Sequence, residues 1–362
     1  MVDMAKIAMK SRVYLDHAAT APVTATARDA MIAALAAVGN PASVHAAGRA
    51  SNGLVERARD GVAAFAGCAA EAVVFTSGGT EALALHGAGM ARCIVSATEH
   101  SAVLAARSDA AVVPVGRDGI VDRAALAALL AAGPALVAVQ HANNETGVIQ
   151  PIADIAALVA AQGGLLLVDA VQSAGKLPLP AADFISLSAH KLGGPAGIGA
   201  LIVRNPATLN AVQRGGGQER GLRGGTPNIP GIAGFAAAVA EPRDWASVAA
   251  LRDQLEAALV SAGGIVHGAG TARLPNISNI GLPGVAGGTQ VMALDLGGFM
   301  VSAGAACSSG KVAASHVLTA MGLGTAAGEA IRISLGPQTT ADEVADFVAA
   351  WKQMAQRLAN AA

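Results

Sequence analysis

ALVAVQHANNETGVIQPIADIAALVAAQGGLLLVDA, residues 135–170, decides the fold class of this chain. It opens on an apolar run, 135–141, and closes on a second, LLLVDA at 165–170. Between them, residues 152–161 repeat apolar side chains at helical spacing, as Ile152, Ile155 and Val159 show. Two strands joined by a helix lie parallel in one sheet, because the crossover brings the chain back to the edge from which it started. Both runs are apolar almost throughout, as strands covered on both faces are.

The same alternation extends outward. VVFTS (73–77), CIVS (93–96), AVVPV (111–115), ISLS (185–188) and GALIVR (199–204) read as further strands, and residues 122–132 as another helix. The predicted fold is therefore α/β, a mainly parallel sheet with helices on both faces. From about residue 246 the pattern changes to a helix (247–263), a strand (276–282), another helix, the strand-like IRISLG (331–336) and a final helix from Ala341. We expect a large domain over 1–245 and a smaller α+β domain over 246–362, with residues 1–16 packing on the smaller one.

Composition narrows the function. The 362 residues are 53% hydrophobic and 14% charged, and 44 glycines with 15 prolines imply many tight loops. A net charge of -1, one Tyr and two Trp argue against nucleic-acid binding. The N-terminus is interrupted by Asp3, Lys6, Lys10 and Arg12, unlike a signal peptide, and the longest apolar run, 124–139, is broken by Gly133 and Pro134. Cys68, Cys93 and Cys307 show neither CxxC nor zinc spacing, so no metal site and a reducing, cytoplasmic setting are expected.

Polar residues gather where strands end. SLSAHKLGGPAGIGALIV (186–203) sets Lys191 among almost no other charge. Burial there would make its amine more nucleophilic, which suits a Schiff base as well as a surface charge. TSGGTEAL (76–83) puts Gly79 and Thr80 at a strand-to-helix turn, able to meet an anion but more often plain connection. Asp169 in VDAVQS (168–173) is either a helix cap or the partner of a buried cation such as a pyridinium nitrogen, with Gln172 on the same side. Thr80, His100, Asn144, Asp169, Ser188, His190 and Lys191 all lie at or just past strand ends, which a parallel sheet brings to one edge. Elsewhere, alternation in 331–334 turns Arg332 away from an apolar face, placing its fork for a carboxylate or, more plainly, for a surface ion pair. Cys307 sits in SAGAACSSGKVAAS (302–315), where a thiol is expected to be exposed and Lys311 could favour its thiolate; alone it reads as an ordinary loop cysteine. Cys68 and Cys93 read as packing residues.

YLDHAAT, GNPASVH, TSGGTE, TEHSAVL, HANNETG, VDAVQSAGK, SAHKLGGPAGIGAL, GGGQERGLRGGTPN, LPNISN, SAGAACSS and IRISLG follow one another between residues 14 and 336. Together they resemble the NifS/IscS-type cysteine desulfurases, pyridoxal-phosphate enzymes of aminotransferase class V with the large type I fold. The resemblance implies pyridoxal 5'-phosphate as cofactor, carried by Lys191, paired at its ring nitrogen with Asp169 and stacked by His100. Gln172 and Asn144 would contact the phenolic oxygen and its surroundings. Gly79, Thr80, Ser188 and His190 would hold the phosphate, joined by Thr226 from the other subunit of a homodimer. Arg332 would take the substrate carboxylate, with Asn40 nearby. Lys191, His100 and Cys307 would be the catalytic residues, turning L-cysteine into alanine and leaving the sulfur on Cys307 as a persulfide for an iron-sulfur scaffold or another acceptor. The distance from Cys307 to Val317 resembles the longer loop of the NifS/IscS group rather than the short loop of the SufS group. A selenocysteine lyase or a small-substrate class V aminotransferase would share Lys191, Asp169 and His100, whereas a non-catalytic assembly protein would need neither Lys191 nor Cys307. His17, Ala21 and residues 82–85, including Ala84, depart from the family's pattern.

Overall fold

The computed structural model describes residues 12–84, 89–304 and 314–359. In chain order it runs β1 (Val13–Tyr14), α1 (Ala25–Leu35), α2 (Ala46–Ala66), β2 (Val73–Thr76), α3 (Gly79–Ala84), β3 (Cys93–Ser96), α4 (Ser101–Ala106), β4 (Ala111–Val113) and α5 (Arg123–Leu130). It continues with β5 (Leu136–Gln140), α6 (Ile152–Ala161), β6 (Leu165–Asp169), β7 (Phe184–Ser188), β8 (Gly199–Val203) and α7 (Ile229–Val239). The last elements are α8 (Trp245–Val260), β9 (Ile265–Val266), β10 (Ile277–Gly281), α9 (Gly287–Leu296), β11 (Phe299–Met300), α10 (His316–Ala320), β12 (Ala330–Ser334) and α11 (Ala341–Ala359). Two compact units result, one of residues 20–144 with 148–243, the other of 12–19 with 145–147 and 244–359.

The first unit is built on a seven-stranded sheet in the order β2-β8-β7-β6-β5-β3-β4. β8 runs antiparallel to both of its neighbours, and the remaining pairs are parallel. The other six strands therefore all point one way. Alternate residues feed two apolar layers. One holds Phe75, Ile94, Val137, Val139, Val168, Ile185 and Leu187 against Val55 and Val62 of α2, Leu126 of α5, Ile155 of α6 and Phe235 of α7. The other holds Val74, Val95, Leu136, Ala138, Leu167 and Phe184 against Leu83 of α3 and Val103 of α4. Covering on both faces explains why these strands read as unbroken apolar runs. The run 111–115 stops at Val113, because Pro114 has no amide to give to the ladder. Asp122 caps α5 by accepting the amides of Ala124 and Ala125, and α2 closes on Gly67 in the left-handed region at φ 64°.

In the second unit β10 lies between β9 and β12, antiparallel to both, and β1 pairs in parallel with β11. α11 buries Val344, Phe347, Trp351 and Met354 at helical spacing, beside Leu255 and Leu259 of α8 and Ile331 and Ile333 of β12. Phe347 and Trp351 are fully enclosed, and burial of each such side chain contributes about 2–3 kcal/mol. A capping box starts the helix: the Glu343 amide donates to the Thr340 hydroxyl and the Thr340 amide to the Glu343 carboxylate.

Candidate active site

Because six of the seven strands share a direction, the carboxyl ends of β2, β3, β5, β6 and β7 meet at one edge of the sheet. The period of two places Thr76, Gln140, Asp169, Ser186 and Ser188 on the side facing α3 and α4. Register then sets Gln140, Asp169 and Ser186 side by side across β5, β6 and β7. Gly199 of β8 sits between Thr76 and Ser188, and a Cβ there would come within 2.8 Å of the Gly78 backbone. Only glycine lets β2 and its following loop lie this close. At Gly79 a Cβ would meet Val171 at 2.9 Å and Ser188 at 3.5 Å, so the first turn of α3 rests directly on the Asp169 loop and β7.

Asp169 is half-buried at the end of β6. Burial pushes its carboxyl up to about 6, against the pull of the Val171 amide, which donates to it at 2.9 Å, and of the Lys191 charge. Lys191 follows β7 in a short 3-10 turn, 189–191. Its charge also reaches His190 and Lys176. Burial and then Lys191 bring His190 down to about 4, so its ring is neutral near pH 7, with Nδ1 3.2 Å from the Thr20 hydroxyl. Lys176, its ammonium donating to the Gln172 carbonyl at 2.8 Å, is brought down to about 7 by burial, with Lys191 and Arg243 adding to the effect.

His100 caps α4 by accepting the Ala102 amide at Nδ1, 3.1 Å away. The neutral ring therefore carries its proton on Nε2. The segment before it is clamped to β5: Gln140 donates to the Thr98 carbonyl and hydroxyl at 2.7 and 2.9 Å, and Asn143 donates to the Thr98 carbonyl at 3.2 Å. Asn144 is half-buried and Gln172 is 6% exposed.

The loop bearing Thr226 is fastened to the Thr80 turn. Arg223 donates to both oxygens of Glu81 at 2.8 and 3.1 Å, and Glu81 also accepts the Ser77 amide at 2.7 Å. Burial alone would raise the Glu81 carboxyl, but these donors hold it below its usual value. Earlier in the loop Glu219 and Arg220 adopt left-handed φ of 46° and 57°, a strain of about 1–2 kcal/mol each. Buried contacts offset it: Glu219 pairs with Arg59 at 2.7 Å and accepts the Phe75 amide, and Arg220 donates to the Val73 carbonyl. Thr226 is exposed and lines a cavity of about 180 Å³ with Thr76, Ser77, Arg223 and Asn228. Thr80 is exposed as well. Asn40 is exposed, its side-chain oxygen accepting the Ala42 amide at 2.9 Å.

In the second unit Arg332 is 6% exposed. Its ion pair is real but not superficial: Nη2 donates to Asp16 Oδ1 at 2.7 Å, and the Ser302 hydroxyl donates to Asp16 Oδ2 at 2.7 Å. Nearby, the Ser315 hydroxyl donates to Glu145 at 2.5 Å and also caps α10. Cys307 and Lys311 lie outside the described residues. Cys93 is buried and Cys68 half-buried, and burial raises both thiols, as packing residues require. Among the described residues no cluster of His, Cys, Asp and Glu could hold a metal, and no helix is long and apolar enough to cross a membrane.

Glu99, Gln140, Asp16 and Ser302 lie among these residues without having drawn notice in the sequence. Their common signal is burial of a polar side chain, which no spacing reveals.

The first unit suits pyridoxal phosphate. A half-buried carboxyl raised to about 6 is short of positive charge, and a protonated ring nitrogen supplies it; Lys191 offers an amine within the same field, and the close turn at Gly79 presents small hydroxyl-bearing neighbours. Residues 13–347 match the family described as aminotransferase class-V. A cysteine desulfurase of Cereibacter sphaeroides is 42% identical over 359 residues, 92% of this chain and 93% of that protein. A cysteine desulfurase IscS of an Anaeromyxobacter species is 39% identical, covering 93% of this chain and 90% of the relative. The structure of a NifS-like protein from Rickettsia africae superposes with a TM-score of 0.87 at 30% identity, over 95% of this chain and 99% of that one. The chain belongs to the class-V aminotransferases, pyridoxal-phosphate enzymes, and within them to the NifS/IscS-type cysteine desulfurases.

Proposed function

We propose that this chain is a cysteine desulfurase that converts L-cysteine to alanine and takes the sulfur onto Cys307. The observation that carries this reading is Lys191 within the field of Asp169 at the carboxyl edge of the parallel strands. Pyridoxal phosphate, when bound, supplies an aldehyde that joins amines and a ring that draws electrons from the substrate Cα.

The chain's own residues do the rest. Lys191 would hold the cofactor, and its amine would take the Cα proton of the substrate. Asp169, as the carboxylate, keeps the ring nitrogen protonated. His100 stacks on the ring and presents Nε2–H, and Gln172 and Asn144 bind around the phenolic oxygen. Gly79, Thr80, Ser188 and the neutral His190 bind the phosphate, with Thr226 given by a second copy of the chain. Arg332, steadied by Asp16, takes the substrate carboxylate with Asn40. The Cys307 thiolate attacks the substrate sulfur: an S–S bond forms, the C–S bond breaks, and its electron pair stays on the substrate carbon, which gains a proton to become the methyl group of alanine. The resulting persulfide passes to an iron-sulfur scaffold or another acceptor, in a cytoplasmic homodimer.

The test is borohydride reduction of the holoenzyme followed by peptide mass spectrometry, alongside alanine formed from L-cysteine. We expect a pyridoxyl group on Lys191 and alanine as product. The adduct on another lysine, or cysteine consumed without alanine, would overturn the reading.

A further inference from the structure

The turn read above as the phosphate contact contains two consecutive glycines, and neither position takes a side chain easily. Gly78 lies at φ 155°, and a Cβ on Gly79 would meet Val171 at 2.9 Å. Two glycines in a row give a turn many conformations to lose, so it grips a ligand weakly unless something fixes it beforehand. Two side chains do so here. The Thr76 hydroxyl donates to the Gly78 carbonyl at 3.0 Å, and the Glu81 carboxylate reaches back from α3 to accept the Ser77 amide at 2.7 Å.

An acidic side chain directly after Thr80 is the wrong charge beside a phosphate, because two anions at short range repel. Arg223 removes that conflict. Its Nε donates to Glu81 Oε1 at 2.8 Å and its Nη2 to Oε2 at 3.1 Å, so Oε2 serves both the arginine and the Ser77 amide. The two side chains are only 17% and 18% exposed, which shields the pair from competing water.

We propose that Glu81 is a positioning residue for the cofactor phosphate: it fixes the 77–80 turn through the Ser77 amide, and Arg223 cancels the charge that this bond brings to an anion site. The proposal rests on the reading of Gly79 and Thr80 as phosphate contacts. Glu81 acts through the turn and not on the phosphate itself. A pair that merely braced the fold would affect every ligand of the site alike, whereas a device that shapes the turn affects the phosphate alone.

The test compares the parent with two double variants, Glu81→Leu/Arg223→Met and Glu81→Gln/Arg223→Met. Both remove the ion pair, and neither leaves a stranded charge to disturb folding. They differ in one respect: the glutamine oxygen can still accept the Ser77 amide, and leucine cannot. The cofactor-free proteins are titrated with pyridoxal 5'-phosphate and with pyridoxal, which lacks the phosphate, and the ratio of the two dissociation constants is read. The parent should prefer the phosphorylated form. Glu81→Leu/Arg223→Met should lower that preference at least about tenfold while binding pyridoxal within about twofold of the parent, and Glu81→Gln/Arg223→Met should keep the preference within about threefold. The proposal is overturned by a leucine variant with the parent's preference, by equal weakening toward both ligands, or by a glutamine variant that loses as much as the leucine one. A parent that binds the two ligands equally would overturn the phosphate reading itself, and the positioning role with it.

Discussion

Asp169 connects protein stability to cofactor chemistry through a single proton. Its carboxyl titrates near 6 when folded, against an ordinary value of 3.8, so the folded state holds this proton more tightly than the unfolded chain does. The stability it contributes is complete below about pH 4 and lost as pH rises through 6. Asp169→Asn removes that loss. In urea unfolding of the cofactor-free protein at pH 8, the variant should be more stable than the parent by about 3 kcal/mol, with the difference shrinking toward pH 4. An equal difference at both pH values would show that the gain has another source. In the holoenzyme the same substitution should slow alanine formation severely, because the ring nitrogen loses its anion. Asp169, Lys191 and His100 were legible in the sequence because each follows a recognisable strand, and strand ends are where such folds put chemistry. Glu99 was not legible beside His100: a carboxyl in a loop reads as solvated, and only the fold shows that it is sealed in.

At the scale of elements, close approach and paired burial carry the site. Gly199→Ala would force β8 away from the Gly78 backbone, now 2.8 Å from the added atom, at a cost of about 1–3 kcal/mol. Since the displaced loop leads into α3, we expect weaker cofactor binding together with the lower unfolding midpoint; an unchanged cofactor affinity would disconnect that loop from the site. On β12, Arg332→Met strands the Asp16 carboxylate, whose side chain is 17% exposed, and should destabilise the protein by about 3 kcal/mol. Adding Asp16→Leu should recover most of that stability but none of the affinity for L-cysteine, which separates the arginine's structural task from its proposed substrate contact. The seven strands of the large sheet were readable to within about two residues, because they are continuous apolar runs buried on both faces, whereas the two-residue strands β1, β9 and β11 carry too short a pattern to be read. The Arg332 partner was not readable: Asp16 lies 316 residues earlier, and long-range bridges of Asp16 to Ser334 and of Ser302 to Arg332 bring the two together.

For the molecule as a whole, the sequence carries the division of labour more clearly than its boundaries. Near residue 246 the sequence leaves its regular strand-helix alternation; in the structure the seven-stranded sheet is built from residues before that point and the three-stranded one from residues after it. Glu145, Thr146 and Gly147, however, sit inside the string HANNETG and yet belong with the second unit, where the Gly147 carbonyl accepts the Leu274 amide at 2.8 Å. No composition signal marks a three-residue exchange, because it is set by long-range packing. The central claim is that the sulfur of L-cysteine passes to Cys307, and it is tested most directly by locating the sulfur. The holoenzyme is incubated with L-cysteine, its thiols are alkylated, the peptides are mapped by mass spectrometry, and released alanine is counted in the same sample. The account predicts a persulfide on Cys307, up to one alanine released per persulfide formed in the first turnover, and no first-turnover alanine from Cys307→Ala. A persulfide on Cys68 or Cys93, or alanine released by Cys307→Ala at the parent's rate, would contradict it.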